Sequence, residues 1–161
     1  MAGTSFEAYL DLLEEICQQL ESLTALNHQK LDAVRHDDLM TLNEVIKKEQ
    51  AVSLGMRGLE QKRIKLTGDL GIAQAPLSQL ASQAPQPSRR RAKAVSEKIQ
   101  SQYQLYHAAA EVARNSLEVN LHEIEKFLEQ SGAAPLQGAI GYETPEVDLP
   151  SQMKTDFREQ S

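Results

Sequence analysis

"LNEVIKKEQAVSLGMRGLEQKRIKLTGDLG", residues 42–71, decides the fold. Leu42, Val45, Val52, Met56, Leu59, Leu66 and Leu70 fall on one line with Glu49 and Arg63, in steps of three and four that never slip. That alternation is the seam of a coiled coil, a helix that lays one stripe against its neighbours. Gly71 supplies a C-terminal stop. The two charges on the stripe, Glu49 and Arg63, need partners on a neighbouring helix or an edge open to water. Gly55 and Gly58 lie inside the helix, where a glycine costs roughly 1 kcal/mol relative to Ala. Such a seam belongs to a bundle that gives up some stability for register, partner choice or a shared surface.

Working outward, "RHDDLMTL" at 35–42 is a break, and Asp37 or Asp38 can cap the helix that follows. A first helix is expected over about 5–35. Phe6, Leu10, Leu13, Cys17, Leu20, Leu31 and Val34 form one stripe, and Tyr9, Ile16, Leu23 and Leu26 widen it. A face that wide suits two neighbours. The second helix is expected over 38–70. With the turn near 36–37, Arg63 should face the region of Leu10, with Glu7 and Glu14 to either side, and Glu49 the region of Thr24. Residues 71–87 form a connector in which Pro76 and Pro85 bar a long helix, while Leu77 and Leu80 can anchor a single turn.

A third helix is expected over 88–131, with Val95, Ile99, Tyr103, Tyr106, Ala110, Ala113, Leu117, Leu121, Ile124 and Leu128 as its seam. At 1.5 Å per residue it is roughly 60 Å long, against roughly 45–50 Å for the first two, and should overhang them unless the connector folds back over the excess. Gly132 and Pro135 end it. The expected fold class is therefore all-α: an antiparallel bundle of three long helices over 1–131, with a mobile tail over 132–161. That tail carries Leu149, Met153 and Phe157, more apolar than a solvated linker needs, so it should dock on something.

Composition limits the chemistry. The chain has 161 residues, 40% hydrophobic and only 4% aromatic, with a net charge of −6. That balance favours helix and disfavours a general nucleic-acid role, which needs a basic face. Cys17 is the sole cysteine, as suits a reducing cytoplasm, and no disulfide or cysteine-based metal site can form within one chain. The N-terminus does not read as a secretion signal, and no run approaches the ~18 apolar residues of a membrane span.

His28, Asp32 and His36 share a helical face, but the two histidines are two turns apart, where zinc ligands need one. A di-iron bundle needs Glu-x-x-His pairs, and the sequence has none. Cys17 sits on the apolar seam, and nucleophile elbows and phosphate loops are missing. An enzyme, a metal and a cofactor are not expected. Arg89, Arg90 and Arg91 with Lys93 form a basic cluster that could dock an acidic partner or RNA. With no aromatic among them, the reading as a solvated, proline-flanked turn is preferred.

The stretch at 42–71 also resembles the core signature of the FlgN-type flagellar export chaperones. Glu49 with Gln50, Leu59 with Glu60, Arg63, and Leu70 with Gly71 carry the likeness. "LESLTALNHQKLDAVRHDDLMTL" fits the long first helix and acidic turn, and the likeness extends over about 6–142. It implies a cytoplasmic chaperone that holds hook-associated junction proteins of the FlgK and FlgL type and hands them to the export gate through the cytoplasmic domain of FlhA. Tyr142, in "AIGYETPE", is the residue it suggests for that gate contact. The corresponding client surface is a groove on the third helix, lined by Leu117, Leu121, Ile124, Phe127 and Leu128, with Met153 or Phe157 folding back as plugs. The rival expectation is a structural or regulatory coiled-coil scaffold that self-associates.

Overall fold

The computed structural model describes residues 2–73, 75–131 and 149–158; the side chains of 2–4, 123–125 and 127–131 lie outside that description. The fold is all-α. Helix α1 spans Ala2–Arg35, α2 Leu39–Leu70, a short α3 Leu80–Gln83, α4 Arg89–Ser131 and α5 Ser151–Arg158. Residues 132–148, with Tyr142, lie outside the described residues.

Helix α1 is the spine, packing along both α2 and α4. Its double stripe explains this: Leu10, Leu13, Ile16, Leu20 and Leu23 are almost wholly withdrawn from water. Full burial of such side chains contributes about 1.5–3 kcal/mol each. Asn27, caught on the same stripe, is satisfied within its own helix by donating to the Leu23 carbonyl at 2.8 Å.

The turn after α1 places Asp37 at a φ of 53°, a left-handed conformation that Asp tolerates better than most residues. Asp38 then caps α2: Thr41 donates its backbone N–H to Oδ1 at 3.1 Å and its hydroxyl to Oδ2 at 2.7 Å. Those bonds hold the Asp38 carboxyl below its ordinary pKa. At its other end α2 closes on Gly71, whose φ of 73° lets the N–H of Ile72 reach back to the Thr67 carbonyl at 2.9 Å. Between these caps the seam is buried as its spacing requires: Leu42, Val45, Glu49, Met56, Leu59 and Arg63 fully, Val52, Leu66 and Leu70 partly.

Among the described residues nothing gives the glycines of α2 a packing reason. A Cβ on Gly55 or Gly58 would meet nothing within 4 Å. Gly58→Ala is therefore expected to raise stability by about 0.5–1 kcal/mol, read as a higher melting temperature. A lower one would mean that a neighbour does approach this backbone.

The connector is short turns rather than coil. Leu77 and Leu80 anchor it as expected and, with Ala84, are buried at the foot of the bundle. It delivers α4 parallel to α1: Ser88 donates to Glu7 at 3.0 Å, 81 residues apart, and Arg91 donates to Asp11 at 2.6 Å, 80 apart. The basic cluster is thus not simply a solvated turn. Arg91 reaches Glu7, Asp11 and, at 3.1 Å, Glu14, three carboxylates on successive turns of α1. The hydrogen bonds it donates to Asp11 and Glu14 lead in raising its already high pKa. The group is largely open to water, so it sets the register of α4 more than it adds stability.

The tail expected over 132–161 is described from Leu149 to Arg158, and that part packs into the core of the bundle. Met153 and Phe157 are 0% and 1% exposed, and Leu149 joins them in the main apolar cluster.

Candidate functional site

The far end of α4 comes first. Leu117 packs on a small cluster of Ala33, Val34, Leu42 and Ile46, beside the α1–α2 turn. Together with the Arg91 contacts, this register sets Arg35 near residue 117, while α4 continues to Ser131. About a dozen residues, roughly 20 Å, therefore run past the end of α1. Leu121, on this stretch, is half-buried. The side chains of Ile124, Phe127 and Leu128 lie outside the described residues, so of the five expected groove positions only Leu117 and Leu121 are placed. Leu117 faces the bundle.

A second apolar line runs along the open side of α4. Leu105, Val112 and Val119 are 53%, 48% and 58% exposed, each seven residues from the next. Exposed Glu111 and Glu118 flank it. Sequence reasoning missed this line because the stronger seam through Tyr103, Tyr106 and Ala113 masks it; the seven-residue spacing was the available signal. A helix that keeps one apolar stripe for its bundle and shows another to solvent can hold a further helix.

The charges on the α2 seam are tied up differently from expectation. Lys30 of α1 donates to Glu49 Oε2 at 3.0 Å, and its Nζ lies 2.7 Å from Oε1. Thr24, the expected neighbour, gives its hydroxyl to the Leu20 carbonyl instead. The long lysine stem reaches Glu49 from further along α1. Arg63 does lie against Tyr9, next to Leu10, but Glu7 and Glu14 face α4 and belong to Arg91. Its carboxylates are Glu60, one turn back on α2, bound through Nε and Nη2 at 2.8 Å each, and Asp156 of α5, 2.8 Å from Nη2. Burial opposes the charge on Arg63, and the bond and charge of Glu60, with Tyr9 and Asp156 behind them, reverse that and raise its pKa. Burial likewise raises the Tyr9 hydroxyl, against the lowering pull of Arg63.

Arg63 also lies 5.6 Å above the Phe157 ring, whose other neighbour is Tyr103, edge-on at 6.4 Å. Phe157 thus sits between α2 and α4. The expected plugs Met153 and Phe157 do fold back, but beside Tyr103 and Arg63, far from Leu117 and Leu121. The reason is chemical: the aromatic and the carboxylate of α5 find a guanidinium and a tyrosine there.

Cys17 is buried in the core, and burial raises its thiol pKa, so the reactive thiolate is disfavoured. Among the described residues no group of three or more His, Cys, Asp or Glu is gathered to hold a metal, and no helix is long and apolar enough to cross a membrane. What the molecule offers is helical surface. No curated protein and no solved structure matches the chain. The family model described as FlgN protein matches residues 1–142, from the start of α1 through the whole of α4. With that match over most of its length, the chain belongs to the FlgN family.

Proposed function

We propose that this protein is a cytoplasmic flagellar export chaperone without catalytic activity. It holds the amphipathic C-terminal helices of hook-associated junction proteins of the FlgK and FlgL type, prevents their premature assembly, and delivers them to the export gate through the cytoplasmic domain of FlhA. The observation that carries this reading is that α4 outruns the bundle while showing Leu105, Val112 and Val119 to solvent. Client helices of this kind expose an apolar face until they assemble. Such a face can lie along α4 with anchors at i, i+3, i+4 and i+7. Leu121, Ile124, Phe127 and Leu128 continue the seam side of α4 past the end of α1 and are proposed as further client contacts on a different side from Leu105, Val112 and Val119, and Tyr142 is the candidate gate contact.

The test is a pull-down and titration with C-terminal segments of junction proteins. Val112→Asp with Val119→Asp should weaken binding at least tenfold while circular dichroism shows unchanged helicity. Unaltered binding would remove α4 from the reading, and absence of binding by the unsubstituted chain would remove the chaperone role. The exposed seven-residue spacing also suits a second copy of the chain, as in a self-associating scaffold. Sedimentation that shows mass growing with concentration, with no client bound, favours that alternative.

A further inference from the structure

Helix α5 has eight residues, too few to be stable alone, so its helical form comes from the surface it lies on. Two side chains one turn apart, Met153 and Phe157, enter the groove between α2 and α4, and Asp156 bonds Arg63 beside them. The fit is incomplete. Among the described residues the Tyr103 hydroxyl is buried there without a hydrogen-bond partner. A cavity of about 20 Å³, room for about one water, lies beside the groove, where Tyr9, Arg63, Thr67 and Asp156 meet the connector at Ile72 and Leu77.

Moreover, the groove does not need α5 to settle its own charge. Arg63 holds Glu60 through two bonds of 2.8 Å, and both residues belong to α2. With α5 gone, the guanidinium keeps that partner and gains water. The surface is therefore ready for a helix that brings a carboxylate and an aromatic, whichever chain supplies it.

We propose that the groove between α2 and α4 is an exchangeable helix-binding site. Helix α5 is its resident occupant, and a partner's amphipathic helix takes its place when it carries an aliphatic residue, an acid three residues on and an aromatic one residue after that. A second copy of the chain brings the same short α5 and gains nothing over the resident one. A longer partner helix keeps these anchors and adds contacts beyond them. The proposal rests on the helix-holding part of the reading above, but it concerns a different face from the exposed line of α4.

The probe is a labelled peptide with the sequence of residues 149–158, titrated into the full chain by fluorescence anisotropy. It should bind a Met153→Ser, Phe157→Ser chain at least tenfold tighter than the unsubstituted chain, because the resident helix no longer competes. The same peptide with Ala in place of its Phe should not bind. Should the doubly substituted chain lose its helicity, Asp156→Arg repels Arg63 and releases α5 with the apolar core intact, and the same gain is expected. Equal affinity for folded released and unsubstituted chains overturns the proposal and makes α5 a fixed part of the core. A dimer of the unsubstituted chain that the peptide splits overturns it in favour of a second copy. Neither result touches the client titration on Val112 and Val119, so the two readings fail separately.

Discussion

Replacing Arg63 by Met is expected to cost about 3–5 kcal/mol of folding stability, read as a lower urea midpoint with little change in slope. Methionine is close to arginine in volume, although its side chain is shorter, and occupies much of the same space against Phe157, so little of this is lost volume. The loss is electrostatic. Glu60 is 4% exposed and takes two of the Arg63 bonds, and Asp156 takes a third. Without the guanidinium, Glu60 stays buried on α2 beside the apolar core. Met56 and Leu59 hold that stretch of backbone against α1, so the carboxylate cannot turn out to water cheaply. The control is Arg63→Met combined with Glu60→Leu. A buried ion pair replaced on both sides by apolar groups is often neutral, so the double variant should recover most of the stability. If the single variant falls within about 1 kcal/mol of the parent, Glu60 finds water and the pair is not sealed.

How far that arrangement was legible in the sequence depends on the range of each contact. The seam of α2 was readable because period alone sets it: once Leu42, Val45, Met56 and Leu59 are on one line, Glu49 and Arg63 must be buried with them. Caps were readable for the same reason, since Asp38 and Gly71 act within a few residues of themselves. Partners were not. Arg91 finds its carboxylates 77 to 84 residues away, from the flank of a stripe rather than its centre. Asp156 meets Arg63 because α5 folds back across the chain, and two anchors one turn apart are too short a pattern for any period to reveal. Length was legible, so the overhang of α4 was expected and found. Its tip, where Ile124, Phe127 and Leu128 lie, remains an expectation from sequence.

The second large effect comes from the other seam charge and should be lopsided. Lys30→Met is expected to cost about 3–4 kcal/mol, whereas Glu49→Met costs about 1 kcal/mol or less, although both delete the same ion pair. The difference lies in which charge is trapped. Glu49 is 2% exposed, while the Lys30 side chain keeps 13%. Lysine can slide its ammonium along a flexible stem to water once Glu49 is gone, and Met in place of Glu49 then adds apolar packing to the seam. Glu49 has no such exit, because Val45, Ile46 and Ser53 around it on α2 are buried too. Left alone, it stays charged in an apolar setting, and that unpaired buried charge is the source of the loss. Equal losses for the two variants at pH 7 would show that Glu49 is reached by water. In that case polar groups on the seam would set register only, and the bundle would tolerate opening along α1 and α2 far more readily than the sealed pair implies.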